Sequence, residues 1–140
     1  MPMTIHVDIV SAEQEVYSGL AEMVFAPAEL GDVGIAPRHA PLITKLRAGE
    51  VRVKISDKES QAFYVSGGLL EVQPHVVTVL ADTAIRAKDI DEAAALQAKA
   101  RAEEMLSDKS GKYDYAIAQA ELAQAVMKLR TLDRLRKRGS

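Results

Sequence analysis

All five prolines of the 140-residue chain (Pro2, Pro27, Pro37, Pro41, Pro74) precede Ala87, and none follows it. Proline removes a backbone donor and breaks helices, so the first part is punctuated into short extended segments while the second is free to be helical. Most glycines also fall before Ala87, and the alanine-rich remainder has Gly111 as its one interior glycine. This change of grammar divides the chain into two structural units, residues 1–86 and 87–140. Each alone has little core, which calls for stable partners.

Within the first unit, Thr4–Val10 alternates strictly, with Ile5, Val7 and Ile9 on one face and Thr4, His6 and Asp8 on the other. Glu50–Ser56 repeats the pattern with Val51, Val53 and Ile55 inward. A two-residue period predicts strands with one buried and one wet face, and it places His6 on the wet one. Further strands are expected at Glu22–Ala26, Leu42–Leu46, Ala62–Val65, Leu69–Val72 and Val76–Ala81. Gly67-Gly68 takes positive φ at low cost and is expected to form a tight hairpin turn. Short strands at regular spacing predict a sandwich or flattened barrel, antiparallel throughout. Pro27–Pro41, with three prolines and two glycines, predicts a rigid exposed loop, either a binding surface or a plain connection.

In the second unit, Asp89-Ile-Asp-Glu92 has capping-box spacing, with Asp89 as N-cap and a helix to about Leu106. Ser107–Gly111 reads as a turn, and Asp114 as the cap of a second helix to about Lys137. So short a link predicts an antiparallel helical hairpin. The first helix is expected to offer Ala93, Ala94, Ala95, Ala98, Ala100 and Ala102 to its partner, beside Leu96, Met105 and Leu106. The second offers Ala116, Ala118, Ala120, Ala123 and Ala125, with Leu122, Val126, Leu129 and Leu132 as the larger ridge. Alanine favours helix but buries little apolar area, so docking onto the β unit is expected to be weak. On pattern alone, both a static cap and a detachable element fit.

Charge is uneven. Residues 1–86 carry eleven acids against seven bases, while Lys128–Arg138 carries six bases against Asp133. The basic end suits an acidic partner or, failing one, a solvated helix terminus favoured by the helix dipole. No cysteine is present, which excludes disulfides, thiolate metal sites and cysteine nucleophiles. His6, His39 and His75 lack metal-site spacing, and no phosphate loop or dinucleotide fingerprint occurs. The reading is a binding and regulatory protein with no catalytic residue, metal or cofactor. No apolar run approaches the ~20 residues of a membrane span, and the amino terminus lacks a signal pattern. A chain kept in the cytoplasm is expected, with attachment to a membrane assembly through protein contacts still open. A rival reading is a nucleic-acid-binding adaptor using the basic helix, against which stand the acidic β unit and the lack of stacking aromatics near the tail.

Four segments recur in order with family spacing: Ser11-Ala-Glu, Gly31-Asp-Val-Gly-Ile-Ala-Pro-Arg-His-Ala-Pro-Leu42, Val65-Ser-Gly-Gly-Leu-Leu-Glu-Val72 and Val77-Thr-Val-Leu-Ala-Asp-Thr-Ala84. Together they make the chain resemble the epsilon subunits of bacterial F-type ATP synthase over nearly its whole length. The resemblance implies an amino-terminal antiparallel β-sandwich of about ten strands followed by a two-helix hairpin. It implies a non-catalytic central-stalk subunit that couples proton-driven rotation to ATP synthesis. The implied partners are the gamma subunit, the c-subunit ring and, when the hairpin extends, the beta and alpha subunits. It also implies a peripheral place at the cytoplasmic side of the bacterial inner membrane, without direct membrane insertion or nucleic acid. The extended hairpin would act as a brake on ATP hydrolysis.

Carried over by residue, the resemblance places Ser11, His39, Pro41 and Thr44 toward gamma, and Glu29 and Asp32 toward the c ring. It assigns Arg130, Arg134, Arg136, Lys137 and Arg138 to inhibitory contact with beta. Moving an equilibrium from 1:99 to 99:1 takes about 5.5 kcal/mol. Exposed ion pairs are individually weak, so Leu129, Leu132 and Leu135 are expected to find apolar contacts as well. Two departures stand out: the family's usual glycine before the histidine is Arg38, and the arginine of its nucleotide-binding hairpin motif is Ala94. Asp91 and Arg101 remain, but without the missing cation ATP binding is expected to be weak or absent.

Overall fold

The computed structural model describes residues 3–108, 111 and 114–139, with the Arg138 and Gly139 side chains outside that description. Ten strands and two helices follow the order of the sequence: β1 (Ile5–Ser11), β2 (Glu15–Ala21), β3 (Met23–Ala28), β4 (Gly31–Ile35), β5 (Leu42–Leu46), β6 (Gly49–Lys54), β7 (Ser60–Val65), β8 (Gly68–Val72), β9 (Val76–Ala81), β10 (Ala84–Arg86), α1 (Glu92–Ser107) and α2 (Tyr115–Gly139). The strands form one continuous sheet in the order β10-β7-β6-β3-β5-β8-β9-β1-β2, with β4 paired to β3. The sheet folds over at the β3–β5 step, where Ala28 and Leu46 pair, to give a two-layer sandwich. At the other seam Arg86 Nη2 donates to the Val16 carbonyl across 2.8 Å.

Alternation fills the core as expected. Ile5, Val7 and Ile9 from β1 meet Val51 and Val53 from β6, Leu70 and Val72 from β8, and Val77 and Val79 from β9. The intervening side chains of β1 stay partly exposed, His6 and Asp8 among them.

The pairing is not antiparallel throughout. β1 and β9 run parallel, with Val7 opposite Val77 and Ile9 opposite Val79. Seven strands separate them in the chain, which supplies the long connection that a parallel pair requires.

Gly67-Gly68 is not a hairpin turn, because β7 pairs with β6 and β10 while β8 pairs with β5 and β9. The two glycines, at φ 119° and 143°, carry the chain from one layer to the other. A Cβ on Gly68 would lie 2.0 Å from the Leu80 carbonyl oxygen. The neighbouring crossing at Asp82-Thr83 is stitched to this one by Asp82 N–H to the Gly67 carbonyl (3.1 Å) and Thr83 N–H to Ser66 Oγ (2.9 Å).

Nor is Pro27–Pro41 a single loop. Pro27 and Ala28 are buried in β3, and Gly31–Ile35 forms β4, so the segment opens with a β-hairpin whose turn is Glu29-Leu30. Buried Pro27 accepts the Arg47 N–H at its carbonyl, a bond that needs no donor from proline.

Two helical expectations need correction or narrowing. The cap of α1 is Asp91, whose carboxylate accepts the Ala94 N–H at 3.1 Å, and not Asp89, which closes a 3-10 turn over Ala87–Asp89. That turn lets Ile90 be buried before the helix begins. Of the alanines expected to face the partner helix, Ala95 and Ala102 on α1 and Ala118 and Ala125 on α2 are buried, while Ala93, Ala94, Ala98, Ala100, Ala116, Ala120 and Ala123 are exposed. Spaced by seven, the buried set is one narrow seam that Leu132 extends, since few positions of a helix can point at one neighbour. Asp114 caps α2 as expected, accepting the Ala116 and Ile117 N–H groups at 2.9 and 3.3 Å. Of the Ser107–Gly111 turn, Lys109 and Ser110 lie outside the described residues.

Candidate functional site

The hairpin meets the sandwich on β7. Ala62-Phe63-Tyr64-Val65 is buried without alternation, so this strand is covered on both faces. Phe63 points into the sandwich core, and Tyr64 joins Ile90 and Leu132 in a second, smaller cluster edged by Ile85 and Met127. The unbroken apolar run was the sequence signal for a second cover, and the cover is α2. The Lys128 ammonium lies 5.4 Å from the Tyr64 ring centroid. Burial pushes the Tyr64 hydroxyl up to about 12, and the oxygen has no hydrogen-bond partner among the described residues. Thr131 is buried as well, but its Oγ1 donates within its own helix to the Met127 carbonyl at 2.9 Å.

Beyond this cluster, Arg136 holds Glu92 with both guanidinium ends, Nη1 at 3.0 Å from Oε1 and Nη2 on Oε2. The hydrogen bonds from Arg136 hold the Glu92 carboxyl below the usual range. Lys137 pairs with Asp133 one turn earlier at 3.1 Å. Arg130 and Arg134 are exposed on α2, Arg134 beside a groove with Asp32, Glu50 and Arg52, and the Arg138 side chain lies outside the described residues. The five basic residues are therefore not equivalent: two of them are held by carboxylates of their own hairpin.

The layer β5-β8-β9-β1-β2 turns an apolar face outward. Ile43, Leu80 and Leu20 are exposed, with Val10, Leu69 and Val76 half-exposed between them in register. On the same face His6 Nε2 and Ser18 Oγ share Asp8 Oδ1 at 2.9 and 2.7 Å. Ser11 lies in the row Leu46–Gly68–Ala81–Ser11 at one end of this layer, and Thr44 near its middle opposite Leu70. His39 and Pro41 sit beyond Leu42 at the other end, where the Arg38 N–H donates to the Pro74 carbonyl. Four residues of strand, about 13 Å, separate the Ser11 row from the Leu42 row, so the four sites share a layer but do not touch.

Glu29 occupies the tip of the β3–β4 hairpin beside Leu30, which is 100% exposed. Asp32 is on β4 rather than in the turn and pairs with Arg47 at 2.9 Å. Arg47 in turn donates through Nε to the Ala28 carbonyl at 2.8 Å, which fixes the base of the tip.

A cleft of about 500 Å³ between the hairpin and β10 collects the residues of the nucleotide motif. Asp91, Ala94 and Arg101 line it, with Asp89, Glu121 and Lys128. Three acids face two bases there, and the Asp91 carboxylate is already engaged as the helix cap. Among the described residues no cluster of His, Asp or Glu could hold a metal ion, and no helix is long and apolar enough to cross a membrane.

Residues 4–87 match the sequence model of the ATP synthase delta/epsilon chain β-sandwich domain, and residues 88–133 that of the delta/epsilon chain long α-helix domain. The chain is 67% identical over 138 residues to the ATP synthase epsilon chain of Nitrosococcus oceani, covering 99% of both. It is 63% identical over 137 residues to the ATP synthase epsilon chain 1 of Methylococcus capsulatus, covering 98% of both. Among solved structures it is similar in fold to a chain of the Euglena gracilis mitochondrial ATP synthase OSCP/F1/c-ring in rotational state 1, with TM-score 0.71 at 16% identity over 100% of this chain and 84% of that one. A chain of the Tetrahymena thermophila mitochondrial ATP synthase central stalk and c-ring matches with TM-score 0.61 at 11% identity, over 93% of this chain and 97% of that one.

Proposed function

Because the chain belongs to the delta/epsilon family of ATP synthase, as an epsilon subunit of the bacterial F-type enzyme, we propose that it couples rotation in the central stalk and brakes ATP hydrolysis with its hairpin. It performs no chemistry itself. The observation that carries the proposal is the separation of two apolar clusters. The sandwich has a continuous core of its own, whereas the hairpin is held by Tyr64, Ile90 and Leu132 with two flanking side chains. Part of the molecule can thus let go without unfolding the rest.

In this reading the outer face of β5-β8-β9-β1-β2 is the anchor. Ile43, Leu80 and Leu20 supply apolar area for gamma, while Ser11 and Thr44 stand in the inward rows of the same layer and His39 and Pro41 lie beyond its Leu42 end. Leu30 between Glu29 and Asp32 is directed at the c ring, on a tip stiffened by Arg47. When the hairpin releases and its two helices part, Arg136 leaves Glu92, and the basic residues from Arg130 to Arg138 become available to beta, with Leu129, Leu132 and Leu135 as their apolar support. The site is peripheral, at the cytoplasmic side of the bacterial inner membrane.

The adaptor reading gains no support from this arrangement, since Arg136 and Lys137 are engaged by Glu92 and Asp133 rather than aligned for phosphates.

The test is ATP hydrolysis by an epsilon-depleted bacterial synthase head, titrated with the full chain and with a version ending at Ala87. Gamma binding by both, with inhibition by the full chain alone, is the expected result. Binding by both without inhibition by either would make the hairpin a structural cap, and binding by neither would remove the anchor assignment.

A further inference from the structure

Tyr64 is the large side chain of β7 on the face covered by the hairpin, and its ring is fully buried against Ile90 and Leu132. A buried tyrosine hydroxyl ordinarily finds a partner, because it gives up water on burial and must be compensated. This one has none. Thr131, the buried polar residue next to Leu132, bonds its own helix instead, and Lys128 approaches the face of the ring and brings only donors. A phenylalanine would fill the same volume without the penalty.

We propose that the Tyr64 hydroxyl is a built-in release element, which sets the balance between docked and undocked hairpin by weakening the docked state alone. The inference rests on the reading above that the hairpin detaches. Its logic is one of selectivity. Phe63, the neighbouring ring, lies in the sandwich core and is untouched by what the hairpin does. The apolar side chains that cover Tyr64 come from the hairpin and its entry turn, together with Ile85 on the adjoining strand. Undocking therefore returns water to the hydroxyl at the same moment that it exposes Leu132 and Ile90. The apolar loss and the polar gain oppose each other, so the two states are brought closer than Leu132 and Ile90 alone would allow.

The test uses the isolated full chain and hydrogen exchange of α2 amides, which reports how often the hairpin opens. Tyr64→Phe is expected to slow that exchange between about fivefold and a hundredfold, the reverse of the usual effect of a core substitution. Unchanged or faster exchange overturns the proposal. Lys128→Met keeps the hydroxyl and removes the cation over the ring. If it slows exchange as Tyr64→Phe does, the cation and not the hydroxyl sets the balance, and the proposal falls. Hydrolysis titrations with the same proteins separate the two readings. Slowed exchange in Tyr64→Phe with no inhibition by the wild-type chain sinks the brake and leaves the hydroxyl's role intact. Unchanged exchange in Tyr64→Phe, with inhibition that depends on the hairpin, does the opposite.

Discussion

Arg136, about one turn beyond Leu132 of the junction, reaches across to clasp Glu92 in the first turn of the other helix. The pair closes the open end of the hairpin, and Arg136 is one of the cations that the proposed brake requires. Closure of the hairpin and the proposed inhibition thus compete for one side chain.

Glu92→Gln is expected to loosen the hairpin ends and to shift the chain toward inhibition, with faster exchange in the first turn of α1 as the readout. The pH sign follows from the lowered carboxyl. A depressed acid stabilises the clasped state fully above its ordinary value of 4.5 and loses that contribution as pH falls through the lower value in the folded chain. The clasp is therefore intact at neutral pH. Exchange that is insensitive to Glu92→Gln at pH 7 would count against it.

Leu132→Ala removes the largest aliphatic group of the junction and is expected to weaken docking by about 2–4 kcal/mol. Tryptic cleavage within α2 should accelerate about 30-fold or more, while the thermal transition of the sandwich stays in place. Parallel loss of both would mean that the two clusters are energetically one.

Gly68→Ala and Gly31→Ala form a matched pair. Both glycines have φ near 140°, but a Cβ on Gly31 meets nothing within 4 Å, whereas one on Gly68 strikes the Leu80 carbonyl. Gly31→Ala is expected to cost about 1–3 kcal/mol from backbone strain, and Gly68→Ala more than about 3 kcal/mol. Chemical denaturation of the two variants measures the difference, and equal costs would refute the close approach.

Alkaline pH should open the hairpin. The Tyr64 hydroxyl ionises near 10 when exposed and at about 12 when docked. Because burial disfavours the phenolate, docking keeps its neutral-pH strength below pH 10 and weakens as pH rises toward 12, by about 2–3 kcal/mol. Tyr64→Phe should lack this component. An identical pH profile for both proteins, followed by α2 exchange or an engineered fluorophore, would show that the phenol is not what titrates.

Titration calorimetry with ATP is expected to show weak binding or none, because three acids and two bases line the cleft and Asp91 is committed to its cap. Ala94→Arg should tighten it by adding a cation on the same wall. Saturable wild-type binding at millimolar concentration or tighter would overturn the expectation.

Much of the architecture was legible because alternation reports burial directly: Ile5, Val7 and Ile9 gave β1, and Leu42–Leu46 and Val76–Ala81 match β5 and β9 end to end. β2 and β4 were not legible. Glu15–Ala21 is an edge strand with mixed exposure, and Gly31-Asp-Val-Gly-Ile35 has the composition of a turn. The parallel β1–β9 pair leaves no local trace, because pairing partners are chosen by the whole sheet. Alanines hid the helical seam, since a face crowded with one residue type has no visible phase. Arg38 is a case where residue type misled. Its φ of 66° is a left-handed conformation that glycine adopts freely and that an arginine does not announce.

That parallel pair also bears on how the protein is made. β1 leaves the ribosome first and gains β2 at once, but its other edge must wait until β9 has emerged. Until then an apolar strand edge stands open, and sheets closed by such distant contacts form slowly. The hairpin is the reverse case, built from near neighbours and synthesised last. A nascent chain stalled before Ala81 would therefore keep that edge open, whereas one stalled within α2 would already hold all ten strands.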